Sequence, residues 1–154
     1  MNSIQAQLDL LAQTRKNVLA VIDSCTVPQL NKIPKNFNNN ILWNAAHLVA
    51  TMDILIYSSS GTASGIDPDL TANYKKGTSP QGDKDQAFVE HVKSLLYTSL
   101  EQLRKDYESN AFGPYAERVT SYGVKLTSVV KAICFNNLHE SMHLGQIKML
   151  HRLV

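Results

Sequence analysis

The segment Asn38–Asp53, NNNILWNAAHLVATMD, decides the fold because it opens a long apolar helix with a histidine near its centre. Its asparagines are residue types that cap helix starts. Trp43, His47 and Ile54 follow one another along one face at helical spacing. The pattern predicts a helix over residues 40–58.

Three further segments repeat apolar residues at helical spacing and show no strand alternation. They predict helices over 3–24, 84–108 and 128–153, the last with Thr127 as its N-cap. Four helices of this length form rods of roughly 30–38 Å. The expected fold is therefore all-α, a four-helix bundle with long connections that occupies residues 1–154 as one domain.

The segment 59–83 has a different composition, with four of the seven glycines and two of the five prolines. It predicts an irregular loop of about 25 residues, and loops of that length in a compact domain are often functional. We expect it to form part of a lid or rim. Tyr57 and Tyr74, at its border and within it, are expected either to line the mouth of a site or to pack against the protein.

Composition excludes several classes of partner. A net charge of +2 without a basic stripe argues against nucleic acid. The first residues lack a signal-peptide pattern, and the most apolar stretch, 41–57, is interpreted as too polar and too short to cross a bilayer. A cytoplasmic protein without a membrane partner is expected, with Cys25 and Cys134 reduced and buried.

The last predicted helix carries two histidines four residues apart, in NLHESMHLGQ at 137–146. Four residues leave an angular offset of about 40°, so His139 and His143 project from one face and can share one divalent ion. His47 completes a set of three if the second and fourth helices are neighbours; otherwise it is a core histidine bonded to a carbonyl. Such a set would leave coordination positions open, as catalytic sites do.

The remaining histidines, His91 and His151, are predicted to lie outside the site. His151 is about 80° around the helix and about 12 Å along it from His143. The H-E-x-x-H spacing also occurs in zinc proteases, but Gln146 and Met149 replace the Gly and His of their extended motif, and no acidic residue follows His143. A metalloprotease is therefore only a remote alternative.

Two stretches together resemble the signatures of the DinB-like superfamily, which includes the YfiT-type metal-binding proteins. The first places a tryptophan four residues before a histidine, as Trp43 precedes His47. The second, H-x-x-x-H-x-G-Q, is matched by HESMHLGQ at 139–146. The resemblance extends over nearly the whole chain.

This resemblance implies a four-helix bundle, often a homodimer, with a divalent metal at one end. Carried over by position, the ligands are His47, His139 and His143. The metal, whether zinc, nickel, iron or manganese, is left open. Characterised proteins of this kind use low-molecular-weight thiols such as mycothiol or bacillithiol as cosubstrates to isomerise or conjugate small electrophiles.

Neighbouring residues have alternative interpretations. Trp43 either walls the site or fills the core, and Gly145 permits close helix approach. Asn44 and Gln146 either hydrogen-bond to ligand histidines or contact a neighbouring helix. Glu140, about 100° from His139, lies off the ligand face and is expected to be a solvated or interhelical carboxylate.

The expected function is that of a metal-dependent enzyme on a small substrate, a thiol-dependent S-transferase or a hydrolase. The alternative is a non-catalytic binding or structural protein whose metal joins the helices. That alternative needs a closed coordination sphere, with a fourth ligand such as Asp67 or Asp69 from the 59–83 segment.

Overall fold

Four long helices build the protein, as the sequence predicts. A computed structural model describes residues 3–154. The long helices are α1 (Ser3–Asp23), α3 (Ile41–Met52), α5 (Gln86–Glu108) and α6 (Val129–His151). The predicted bounds agree to within two residues, except that the last turns of the second helix, Asp53–Ser58, are π-helical.

Short elements occupy the connections. They are α2 (Val27–Asn31), α4 (Pro68–Tyr74) and an antiparallel hairpin of β1 (Arg118–Val119) and β2 (Lys125–Leu126). The interpretation of 59–83 as a loop is therefore wrong over α4. Asp67 caps this helix through the backbone N–H of Asp69, and Pro68 occupies its first turn, where a missing N–H costs nothing.

Side-chain caps fix where the site-bearing helices begin. Asn40 accepts a hydrogen bond of 2.7 Å from the backbone N–H of Trp43 at the start of α3. Ser128 does the same for Lys131 at the start of α6, at 3.2 Å. The sequence predicts Thr127 as the cap, but the observed cap is the next residue, Ser128. Each cap satisfies a backbone donor that the helix itself leaves free.

Helix packing places α3 beside α6. Each of α3 and α1 contacts both α5 and α6, so the four long helices form a ring in which α3 and α6 are neighbours. Every residue from Ile41 to Ala50 is buried, which makes α3 the central helix of the core. This adjacency is the condition under which His47 can meet the histidines of α6.

The segment Ile41–Ser58 is, by length and composition, apolar enough to be a candidate membrane span, contrary to the expectation that it is too short and too polar. Its 18 residues are 83% buried inside the bundle. It is the only such helix in the described part of the chain, and its burial is that of a core helix.

A buried ion pair joins α1 to α6. The guanidinium of Arg15 donates to the Glu140 carboxylate at 2.8 and 3.0 Å, and the two side chains are 2% and 0% exposed. Arg15 also donates to Leu96 O and Ser99 Oγ, and Asn136 Nδ2 donates to the carboxylate. Glu140 is therefore an interhelical carboxylate, and the solvated alternative is wrong.

The two cysteines are free thiols, but neither is fully buried, contrary to the prediction. Cys134 is exposed and Cys25 is half-buried. The prediction for Cys134 is wrong because the outer face of α6 is also rich in apolar residues. An apolar helical context around a residue therefore does not imply that the residue faces the core.

Candidate metal centre

His47 of α3 and His139 and His143 of α6 lie together at one place in the bundle. Their ring centroids are 4.5 Å apart for the α6 pair, and His47 lies 5.1 and 4.7 Å from His139 and His143. One nitrogen from each ring falls within 4.8 Å of the others. The structure thus brings together the three side chains that the sequence singled out.

His47 is held from two sides. The indole of Trp43, one turn earlier, stacks on its ring at 4.8 Å with an interplanar angle of 11°. Its Nδ1 lies 2.6 Å from the carbonyl oxygen of Tyr74, the last residue of α4. Because a carbonyl can only accept, Nδ1 carries the proton, and Nε2 keeps its lone pair. Thr51 Oγ1 lies 3.2 Å from that Nε2.

His143 is oriented by Asn44. Its Nδ1 lies 2.8 Å from Asn44 Oδ1, while the Asn44 amide nitrogen donates to Asn40 O at 2.8 Å and to Asn39 Oδ1 at 3.0 Å. Those two acceptors fix which end of the amide faces the histidine. Nδ1 of His143 is therefore the donor, and its Nε2 is left free. Of the two interpretations of Asn44, the hydrogen bond to a candidate ligand is confirmed.

His139 differs from the other two because Nδ1 is buried and has no hydrogen-bond partner among the described residues. A buried polar nitrogen without a partner is uncommon and costs free energy comparable to a lost hydrogen bond. A metal ion bound between His139 and the two neighbouring rings would supply the missing partner.

The environment keeps the three imidazoles neutral at pH 7. Burial, reinforced by the charges of His143 and His47, lowers the pKa of His139 to about 3. Burial and then His47 lower the pKa of His143 to about 4. Burial also lowers the pKa of His47, against an opposing contribution from the Tyr74 hydrogen bond. Neutral imidazole is the form that binds metal, so protons do not compete at neutral pH.

The arrangement fits a divalent ion once the three rings move closer together. Three nitrogens bound tetrahedrally to one ion at about 2.1 Å are about 3.4 Å apart. The separations of up to 4.8 Å therefore require the rings to close in by roughly 1 Å or more. Neutral nitrogen donors of this kind suit zinc, nickel and iron better than calcium or magnesium.

A cavity of about 700 Å³ opens onto the histidines. One wall includes Trp43 of α3 with Ile54 and Leu55 of the π-helical turns that follow it. Residues 118–122 of the hairpin form the other side. Two carbonyls of the π-helical segment anchor the chain that leads into the hairpin, because Tyr115 Oη donates to Leu55 O and Arg118 donates to Ile54 O. The π-helix thus positions one wall of the cavity, in keeping with the frequent occurrence of such turns at functional sites.

Four other residues that the sequence placed near the site make no side-chain hydrogen bond to the three histidines in the described structure. Gln146 lines the cavity but makes no hydrogen bond to a histidine in the described structure. Gly145 is exposed, and a Cβ there would meet nothing within 4 Å, so close helix approach does not explain it. Tyr57 packs in the core and donates to Asp106, and Tyr74 contributes its carbonyl rather than its ring.

The two remaining histidines are outside the cluster, as predicted. His91 lines a separate cavity beside Phe88, and His151 lies near Ser24. Asp67 and Asp69 line that separate cavity as well and do not join the three histidines. The fourth ligand that a closed site would draw from the 59–83 segment is therefore not supplied by either carboxylate.

Sequence reasoning missed several residues of the cavity. Thr51 is one turn after His47, and that spacing could have identified it. Lys75, Lys76 and Arg118 line the cavity from α4's end and the hairpin. Lys75 and Lys76 belong to the 59–83 segment, which is expected at a rim, but no pattern in that segment singles them out. Nothing in the sequence relates Arg118 to α3 or α6, because tertiary folding alone brings it there.

Replacing Asn44 by alanine is expected to weaken metal binding by about 10- to 100-fold, the usual loss when the partner that orients a ligand histidine is removed. Asn44→Asp keeps an acceptor for His143 Nδ1 but sets its second oxygen against Asn40 O and Asn39 Oδ1, so it should recover only part of the affinity. Competition titrations with a chromophoric zinc chelator measure both variants. Equal affinity of Asn44→Ala and wild type would show that Asn44 does not orient the ring.

Comparison with known proteins agrees with this architecture. The chain matches the profile of the DinB superfamily over residues 10–147. A solved structure described as "Crystal structure of the conserved protein of locus from Enterococcus faecalis" is similar, with a TM-score of 0.70 and 13% identity over 100% of this chain and 98% of that one. No functionally curated protein matches the chain.

An all-α bundle with three histidines facing a cavity is an arrangement that could hold a metal ion. The family match covers most of the chain, so the protein belongs to the DinB superfamily. The resemblance noted in the sequence is thereby confirmed, and so is the all-α fold class.

Proposed function

We propose that the protein is a divalent-metal-dependent enzyme that acts on a small molecule. The observation that carries this proposal is a cluster of three neutral histidines facing an open cavity of about 700 Å³. No carboxylate or thiol from the described residues joins the cluster as a fourth ligand. Three protein ligands with an open position are typical of catalytic sites, whereas structural sites are closed by four.

Thiol transfer is the reaction that the cavity supports best. A metal bound there would lower the pKa of a coordinated thiol and supply thiolate at neutral pH. This chain's residues would hold the ion, orient the histidines and provide an apolar wall that excludes water. No Asp or Glu of the described chain lines the cavity to serve as a general base for water, which disfavours a hydrolase.

The Glu of the H-E-x-x-H sequence does not provide that base either. Glu140 is 0% exposed and is bonded to Arg15 between α1 and α6. It makes no contribution to the cavity lining in the described structure. A protease mechanism that activates water with this glutamate therefore has no support from its position.

Metal analysis followed by activity assays tests the proposal. The purified protein is loaded with zinc, nickel, iron or manganese in turn and assayed for conjugation of a fluorogenic haloalkyl probe to bacillithiol, mycothiol, glutathione and cysteine. Metal-dependent conjugation above the uncatalysed rate is expected with at least one thiol. A protein that binds one ion per chain with no exchangeable water would instead be a metal-stabilised binding protein.

A homodimer formed through α6 is also proposed. Apolar side chains on the outer face of α6 are 36–51% exposed: Val130, Leu138, Met142 and Met149. They fall within an arc of roughly 120° along the helix, which also holds the exposed Lys131, Ser141 and Lys148, and they form an apolar stripe with a few polar interruptions. An exposed cluster of apolar side chains marks an interaction surface more often than single apolar residues do.

Leu138→Glu is expected to convert a dimer into a monomer, because it would place two charges in the buried centre of a symmetric interface. Leu10→Glu is the matched control, since Leu10 on α1 is 58% exposed and lies off the stripe. Light scattering coupled to size exclusion gives the mass of each variant. A monomeric wild type, or a Leu138→Glu dimer, contradicts the proposed interface.

A further inference from the structure

The cavity over the histidines has charged walls of a single sign. Lys75, Lys76 and Arg118 are the charged side chains among its described lining residues, and no Asp or Glu accompanies them. None of the three forms an ion pair with an acidic side chain in the described structure. Their positive charge is therefore not neutralised by a direct ion pair within the described structure.

Arg118 is the most firmly placed of these cations. It is half-buried, and its Nη1 donates to Ile54 O at 3.0 Å and to Ser59 Oγ at 3.1 Å. Its Nε and Nη2 have no hydrogen-bond partner among the described residues. One nitrogen fixes the side chain on the π-helical segment, and the others remain as a fork of donors of the kind that carboxylates bind.

The neutral histidines leave the excess of positive charge in the cavity uncompensated. An ion held by three uncharged imidazoles keeps its two positive charges, since no carboxylate ligand joins the cluster in the described residues. Positive charge in a partly enclosed cavity raises the local concentration of anions. A cationic ligand would be repelled by the metal and by all three side chains.

Apolar side chains make up much of the remaining wall, including Ile54, Leu55, Phe135 and Met142. A volume of about 700 Å³ is within the usual range for pockets that bind small molecules. A suitable ligand therefore combines an apolar body with an anionic group that reaches the basic side.

We propose that the cavity selects a small carboxylate with an apolar body, and that Arg118 is the residue that determines this specificity. The proposal rests on the proposed function, because it names the class of substrate for the same cavity. Lys75 and Lys76 contribute attraction from the exposed rim. The carboxylate is the group recognised by Arg118, and the apolar body packs against the cavity wall.

Binding measurements on zinc-loaded full-length protein test this without knowledge of the natural substrate. The probes are 3-phenylpropanoate, its neutral amide and phenyl phosphate, titrated at fixed ionic strength and followed by ligand-observed NMR. The acid should bind roughly tenfold or more tightly than the amide, as expected for a charge-assisted pair of hydrogen bonds. Arg118→Gln should remove most of that difference, because it should weaken binding of the acid far more than binding of the amide.

Two further variants separate recognition from folding. Lys76→Gln changes an exposed side chain without a hydrogen bond in the described structure, so it should weaken acid binding modestly with the fold intact. Arg104→Gln is the control, because Arg104 pairs with Asp9 on the surface and does not line the cavity. It should leave all three probes unaffected.

Equal affinity for acid and amide overturns the proposal, as does failure of both to bind at millimolar concentration. Phenyl phosphate binding more tightly than the acid by tenfold also overturns it, because phosphate would then be the recognised group. A preference for the acid that depends on Arg118, in a protein that binds no metal or shows no metal-dependent conjugation with any thiol, supports this inference while contradicting the proposed function.

Discussion

Replacing His143 by alanine is expected to lower bound divalent metal from about one ion per chain to less than about a tenth, since two histidines hold an ion far more weakly than three. The helices should remain, because a bundle is stabilised mainly by its apolar core. Metal content is measured by mass spectrometry after dialysis, and helicity by circular dichroism. Any metal-dependent conjugation activity should disappear with the metal.

His91→Ala is the matched control for this experiment. His91 lies on α5 beside a separate cavity and is exposed, so its loss should change neither metal content nor activity. A His143→Ala protein that loses its metal and keeps full activity would show that the metal is not catalytic. A variant that unfolds on losing the metal would favour a structural role for the ion.

The helical spacing in α3 and α6 predicted much of the site. His139 and His143 share a face because of their spacing alone, and Asn44 is one turn before His47 by the same rule. Helical phase also placed Glu140 away from the ligand face. Its burial could not be predicted, because the partner that makes burial tolerable, Arg15, lies 125 residues earlier.

Residues supplied by irregular segments could not be predicted in this way. The carbonyl that fixes His47 belongs to Tyr74, at the end of a short helix inside a stretch rich in Gly and Pro. Arg118 reaches the cavity from a hairpin with two residues in each strand. Such strands are too short for an alternation of apolar and polar residues to be visible. Backbone acceptors and distant cations leave no periodic signal, although they decide the tautomer and the charge of the site.

A large loss of stability is expected when the buried ion pair between Arg15 and Glu140 is broken. Glu140→Gln should destabilise the metal-free protein by about 3–5 kcal/mol, because the Arg15 guanidinium would remain buried without its counter-charge. Urea unfolding of the metal-free protein measures this without a contribution from metal binding. Asp23→Asn is the control, since Asp23 pairs with Lys93 at 57% exposure and should cost less than about 1 kcal/mol.

Combining Glu140→Gln with Arg15→Met should recover most of the lost stability, because the double variant buries no unpaired charge. The amide that Glu140→Gln introduces also lies near Asn136. The Oδ1 of Asn136 is buried without a partner in the described structure and can accept a hydrogen bond from that amide. The double variant should bind metal like the wild type, since neither position touches the histidine cluster. If Glu140→Gln instead preserved stability and abolished a metal-dependent activity, Glu140 would act in the chemistry, and its burial against Arg15 would be only one of its states.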